Sequence, residues 1–336
     1  MRTGRRAFLA TAAAGTALAA CGGCASTTPP GPRTHALPEA PRPPDESTVA
    51  VVRVDAFRTL RDAVVQAIRL AGGLAFVRPG DRVLLKPAVN SARPYPATTD
   101  PEVVAIVAAL VRDAGGQAFV ADRTMFLRST WSAFERTGIL GAARDAGIPC
   151  IALDEEPVVA IVHPLATHWT SRTIRVYRTA AEADHVIDLC TPRTHRLAGF
   201  TMAMKNCVGV VGGAARLGMH LGSGFRERLA EISAAFRPSL AVLDGRMGFA
   251  DGGPDEGDLV RPGFVAASTD PLALDVVGVA HLRLAGTNDA IGRGSVWRIP
   301  VIRRAAEIGV GATEAGRIRI VGLPPELEAR IRGELG

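Results

Sequence analysis

Between Cys190 and His220 the chain concentrates side chains that can move protons, hold ions or form covalent bonds. Two histidines (His195, His220), one lysine (Lys205), an asparagine (Asn206) and two cysteines (Cys190, Cys207) share about thirty residues with Gly199, Gly209, Gly212, Gly213 and Gly218. Glycine allows backbone to approach backbone, or a ligand, with no Cβ between them. The stretch follows Val186–Leu189, an apolar run that reads as a buried strand. Loops beyond such strands are where α/β proteins place their chemistry.

Of 39 lysines and arginines in the chain, two are lysines, Lys86 and Lys205. A sequence that uses arginine wherever a positive charge suffices has kept lysine where a compact amine is needed. That amine can lose its proton, attack a carbonyl or carry a covalent adduct, none of which guanidinium does. Lys205 is therefore a catalytic candidate. Lys86 ends a strand at Lys86-Pro87 with Asn90 just beyond, which places both at the carboxyl edge of a sheet. Lys86 and Asn90, with Asn206, Gly209, Gly212 and Gly213, are candidates for holding a cofactor or anionic ligand. Asp122-Arg123 and Asp244-Gly245 close other strands in the same way. Asp270 reads as a helix N-cap before Pro271. Asp275 sits on an apolar helix, where a buried carboxylate needs a partner.

Of the five cysteines, Cys21 and Cys24 lie near the N-terminus; the other three, Cys150, Cys190 and Cys207, have no Cys-x-x-Cys among them and hence make no iron–sulfur motif. They read as buried thiols, although an exported chain could bridge Cys190 to Cys207. Gly309-Val310-Gly311-Ala312 lacks the third glycine of a dinucleotide loop and is far from the first βα unit.

These side chains must be positioned by the elements around them. Residues 1–21 read as a twin-arginine signal (Arg5-Arg6-Ala7-Phe8-Leu9) followed by an alanine-rich segment too short for a membrane span. Leu18-Ala19-Ala20-Cys21 has the form of a lipobox, with Cys21 the lipidated residue. Cleavage there removes Arg2, Arg5 and Arg6, half of the net charge of +6, so the basicity does not argue for a nucleic-acid partner. The expected partners are a membrane, through the lipid anchor at an extracytoplasmic face, and a small molecule or metal. Residues 22–47, rich in proline, read as an extended tether. From 48 to about 330, apolar runs alternate with helix-period segments. Strands are expected at 49–54, 82–85, 117–121, 150–153, 158–162, 173–176, 186–189, 240–243, 263–267 and 318–321. Helices are expected at 60–71, 101–114, 225–236 and 271–284, with a broken pair over 129–146. This is an α/β pattern, a mostly parallel sheet with flanking helices in one or two subdomains.

Taken together, Gly80-Asp81-Arg82-Val83-Leu84-Leu85-Lys86-Pro87, Thr99-Asp100-Pro101, Thr194-His195, Met204-Lys205-Asn206, Gly209 and His220 resemble the domain-of-unknown-function 362 family. Gly253-Pro254, Gly257, Ser268, Asp270-Pro271 and Asp275 extend the likeness across residues 49–320. Ala88 and Arg193 stand where that family usually shows asparagine and lysine, and the ferredoxin-like cysteine module of many members has no counterpart here. The order His195, Lys205, His220 also resembles the cofactor segment of nickel-pincer lactate racemases. That likeness implies His195 as proton shuttle, Lys205 as cofactor anchor and His220 as metal ligand; imidazole suits both tasks. Asp244 is the carboxylate assigned with His220 to a divalent metal. Those racemases use a second catalytic histidine from the N-terminal half, and no histidine lies between His35 and His163. The expected function is thus binding of a metal or anionic cofactor at a His/Lys/Asn site by an exported protein. The alternatives are a lipid-anchored, non-catalytic binding protein or a redox accessory. Whether the ligand is turned over is left open by the residues.

Overall fold

Each long strand feeds two cores. In β1 (Ser47–Arg53) Val49 and Val51 turn to one face and Ala50 and Val52 to the other. In β2 (Arg82–Pro87) Leu84 is separated in the same way from Val83 and Leu85. Side chains alternate along a strand, so a strand apolar at every position must be covered on both sides. The computed structural model describes residues 45–336. The expected signal peptide, Cys21 and nearly all of the tether lie outside the described residues. The tether's last residue, Ser47, is already the first residue of β1.

After β2 come β3 (Gln117–Asp122), β4 (Cys150–Ala152), β5 (Val158–Val162), β6 (Thr173–Tyr177) and β7 (His185–Cys190). A short pair follows, β8 (Arg193–His195) and β9 (Gly199–Thr201). The last strands are β10 (Leu240–Gly245), β11 (Gly248–Phe249), β12 (Leu259–Val260), β13 (Phe264–Ser268) and β14 (Ile318–Val321). Helices α1 (Leu60–Leu70), α2 (Pro101–Asp113), α3 (Thr130–Arg136), α4 (Ile139–Asp145) and α5 (Arg178–Ala181) occupy the first half. Then come α6 (Ala203–Asn206), α7 (Gly213–Leu221), α8 (Phe225–Ala235) and α9 (Pro271–Leu284). The series closes with α10 (Asp289–Gly292), α11 (Pro300–Glu307) and α12 (Pro325–Leu335). No helix among the described residues is long and apolar enough to cross a membrane.

The main sheet has the order β14-β1-β13-β10-β7-β2-β3-β4. Strand β13 is antiparallel to both of its neighbours, and every other adjacent pair is parallel. Because β1 pairs with β14, one sheet joins both ends of the described chain, and the two-subdomain alternative is not what forms. From β2 the chain steps outward through β3 and β4; from β7 it steps the other way through β10 and β13. The order therefore reverses between β2 and β7, the switch point at which open α/β sheets leave a crevice at their carboxyl edge. Lys86 of β2 lies opposite Asp188 of β7 at that edge.

Local chemistry ends the elements where the sequence says it should. Asp100 accepts from Glu102 N with Pro101 at the first turn of α2. Asp270 accepts from Leu272 N and Ala273 N at the start of α9. The same carboxylate takes Ala312 N at 2.7 Å. A Cβ at Gly311 would stand 1.9 Å from it, so Gly309–Ala312 is a packing contact. The pattern did not announce β8, β9 and α6, each too short for a period to register, nor α7, which carries Gly213 and Gly218. It also missed α11 and α12; the latter buries Ile331 and Leu335 beyond the expected domain end at 330.

Candidate functional site

Lys86 is fully buried. Its amine donates to Pro87 O at 2.7 Å and to Asn206 Oδ1 at 3.3 Å, and pairs with Asp122 Oδ1 at 2.8 Å. An ammonium has three hydrogens to donate, so this one is saturated. Asn206 closes the circuit, donating from Nδ2 to Asp188 Oδ1 (2.8 Å) and to Lys86 O (3.2 Å). Asp122 also accepts from Val89 N (3.0 Å) and Arg123 N (2.7 Å). Burial pushes the Asp188 carboxyl up to about 7, with Asp122 adding to the rise and Lys86 and Asn206 opposing it. All three Lys86 ammonium hydrogens and both Asn206 amide hydrogens are taken up here, so although both residues line the cavity that lies above them, neither has a donor left for the expected cofactor. They tie β2, β3, β7 and α6 together.

Two further contacts fix α6. Asp275 of α9 accepts from Ala203 N (2.8 Å) and Met204 N (3.1 Å), so the partner its burial demanded is backbone just before Lys205. Gly209 lies over the ion pair, where a Cβ would be 2.0 Å from Asp122 Oδ1 and 2.7 Å from Lys86 Nζ. Gly209→Ala is expected to lower the unfolding free energy by about 3 kcal/mol in urea titrations, through overpacking and a parted ion pair. An unchanged midpoint would mean that the network has room to spare.

Above this network lies a cavity of about 30 Å³, lined by Lys205, Asn90, Arg123, Arg193, Arg216 and Gly209 among others. Its size suits a water or two, or the end group of a ligand, and not a whole molecule. Arg193 and Arg216 are 3% and 5% exposed. Arg193 Nη1 donates to Ala97 O and, at 3.2 Å, to Pro254 O. Arg216 Nη1 donates to the carbonyls of Arg123 and Thr124, both at 3.0 Å. Arg193 Nε, Arg216 Nε and Arg123 Nη1 are buried and have no acceptor. A buried donor without an acceptor is costly, and all three residues line this one cavity.

Lys205, half-buried, has no hydrogen-bond or ion-pair partner among the described residues. Burial brings its amine down to about 7; Arg216, Arg193 and Lys86 push the same way, and Asp255 opposes them. Lysine 86 is thus spent on the fold, and Lys205 is the amine that remains available.

The two histidines fall within electrostatic reach of Lys205 but are held differently. His195 accepts at Nδ1 from Leu197 N (3.1 Å) and Ala198 N (3.2 Å), which leaves its hydrogen on Nε2. Burial, then Lys205, Arg193, His220 and Arg196, lower its pKa to about 2. A ring so held does not take up a proton near neutrality, contrary to the expected shuttle. His220 donates from Nδ1 to Arg216 O at 2.8 Å, which leaves a lone pair on Nε2. Its ring packs against Phe126 and Phe225, and burial lowers its pKa.

The other expected ligands separate. Asp244 follows Leu240 and Val242 and shares their face of β10, opposite to the face that Leu84 and Lys86 share on β2. There it binds Arg246 at 2.7 Å and Tyr95 Oη at 3.0 Å, which removes it from any metal site with His220. No three His, Cys, Asp or Glu side chains among the described residues are grouped as a metal would need. Gly212 makes room for Val158 and Gly213 for Arg123, so these glycines serve packing and not a phosphate loop. Asn90 does line the cavity, donating to Asp255 at 3.0 Å. Cys150, Cys190 and Cys207 are free thiols. Sequence reasoning missed Asp188, whose signal was a carboxylate inside the apolar run 186–189, and Arg216, which nothing in the glycine-rich stretch singled out.

The family model described as a domain of unknown function (DUF362) matches residues 83–280. The chain belongs to the DUF362 family. This DUF362 chain is similar to the "Thylakoid-associated protein" of Synechocystis sp., with 38% identity over 222 residues, 63% of this chain and 67% of the relative. Its fold is compared with the lactate racemase apoprotein of Thermoanaerobacterium thermosaccharolyticum at a TM-score of 0.44 and 13% identity, over 71% of this chain. The match spans 59% of the racemase chain. The DUF362 match contains the whole of the buried network and all three of His195, Lys205 and His220.

Proposed function

We propose that this DUF362 protein binds a ligand through an anionic end group, a carboxylate or phosphate, seated on Lys205 between Arg193 and Arg216. The observation that carries the reading is the set of three acceptor-less guanidinium N–H groups around a lysine that has no acidic partner. An oxyanion in the cavity that these arginines line would accept charge-assisted hydrogen bonds from Lys205 and from those of the donors that reach it. A cation would be repelled by the same ring of charge. A bound anion would also return the Lys205 amine to its ammonium form, since a nearby negative charge favours it.

The expected setting is a membrane face, with residues 1–21 as signal and Cys21 as lipid anchor. The name of the Synechocystis relative supports a membrane-associated location. Two acyl or equivalent signals hold a protein stably at a bilayer, and a lipobox cysteine supplies them covalently.

The test is calorimetric titration of the folded protein with inorganic phosphate and with acetate at several pH values. Binding is expected to weaken as pH rises through about 7 and Lys205 loses its proton. Lys205→Met is expected to reduce affinity by at least about tenfold. Affinity that is unaffected by pH and by this substitution would refute the reading.

A further inference from the structure

The cavity at Lys205 is too small for a whole ligand, and it adjoins a cleft of about 540 Å³. Asn90 and Pro254 belong to the walls of both. The charged groups of the cleft are mostly committed. Asp255 is held by Asn90 (3.0 Å) and Arg128 (2.9 Å), and Asp251 by Asn288 (2.7 Å). His195 is different. It lines the cleft, its Nδ1 is turned back onto its own hairpin between β8 and β9, and its Nε2 has no protein partner among the described residues.

We infer that His195 is a fixed hydrogen-bond donor that recognises a second oxygen acceptor of the ligand, a carbonyl or carboxylate lying in the cleft. The ligand class is then an acid with two oxygen functions: an anionic end on Lys205 and an acceptor that meets His195 Nε2–H. This rests on the anion reading above. The hairpin defines the donor by geometry. Two backbone N–H groups compete for the Nδ1 lone pair, so the hydrogen has one place to go. Burial opposes a second proton, and so do the charged groups around the ring, Lys205 and Arg193 from the cavity side and Arg196 from the neighbouring loop; a proton on His220 of the nearby helix would do the same. An imidazole that keeps one hydrogen on one nitrogen across the neutral range is a specificity residue and not an acid–base catalyst.

Two substitutions separate its halves. The Oδ1 of asparagine overlies histidine Nδ1, so His195→Asn keeps the hairpin contacts and removes the cleft donor. The Nε2 of glutamine overlies histidine Nε2, so His195→Gln keeps the cleft donor. The probes are inorganic phosphate and the dicarboxylates succinate, glutarate and adipate, each against a monocarboxylate of the same length. At least one dicarboxylate is expected to bind about tenfold tighter than its monocarboxylate partner. His195→Asn should erase that advantage and His195→Gln should preserve it, with phosphate affinity the same in all three proteins. In parallel, nitrogen-15 spectra of labelled histidine should show His195 with hydrogen on Nε2 and no titration between about pH 5 and 9. A hydrogen on Nδ1, a titration in that range, or an undiminished dicarboxylate advantage in His195→Asn overturns the inference while phosphate binding leaves the anion site standing. Failure of phosphate to bind the native protein overturns both.

Discussion

Lys86→Met is expected to lower the unfolding free energy by about 3–5 kcal/mol, the range for removing one partner of a buried ion pair. In a chain of this size that corresponds to a fall in melting temperature of roughly 10 °C. The reason lies in what would remain. Asp122 and Asp188 would face each other's charge in a dry interior, with only neutral donors left to them: Val89 N and Arg123 N on Asp122, and the Asn206 amide on Asp188. The loss should depend on pH, and its sign follows from the direction of the shifts. Both carboxyls are already raised by burial, and losing the ammonium raises them further. A carboxyl whose folded-state pKa is raised stabilises the fold below its unfolded value and loses that contribution as pH climbs through the folded value. The variant should therefore be nearer to native stability at about pH 5 than at about pH 8. Lys86→Arg should not rescue it, because Gly209 packs against the amine and leaves no volume for a guanidinium. Equal losses at the two pH values would show that the pair contributes packing alone.

Lys205→Met should have the opposite effect, a gain in stability together with loss of anion binding. Here the folded-state pKa is lowered, from 10.5 to about 7. Below about 7 both states carry the proton, and the folded state bears the whole cost of a desolvated ammonium among arginines. Between about 7 and 10.5 the folded state sheds its proton first, and the cost declines as pH rises. Full burial would make this several kcal/mol. The half-buried amine retains part of it, and about 2 kcal/mol is the expected gain near pH 6, shrinking toward pH 10. Phosphate, which should raise the melting temperature of the native protein, should leave the variant's unchanged. A site destabilising for the fold and needed for its ligand is the usual sign of function. If the variant were less stable at every pH, Lys205 would be a packing residue and the cavity would lose its claim.

Much of the architecture was legible because its causes are local. Apolar runs, proline at a first turn and Asp100 or Asp270 before it mark strands and helix starts through contacts a few residues apart. The two lysines stand out by residue type alone, since arginine is the default cation, and both line the cavity. Their roles were not legible. Asp244 looked like Lys86, a charged residue at a strand's end, yet the alternation of β10 turns it to the opposite face and to Arg246. His195 and His220 looked alike as imidazoles, and the hairpin gives one an occupied Nδ1 while α7 gives the other a donating one.

By itself, then, the sequence determined an α/β chain of the DUF362 family and marked residues 190–220 as the candidate stretch for its chemistry. Tertiary structure decided which charges were spent: Lys86 finds Asn206 across 120 residues and Asp275 finds Ala203 across 72. Such partners are set by how strands and helices pack, and no pattern within a window of neighbours records them. Lys205 is left without a partner among the described residues because those distant contacts engage Lys86, Asp122, Asp188 and Asn206 with one another, while buried arginine N–H groups of the cavity's lining residues stay without acceptors.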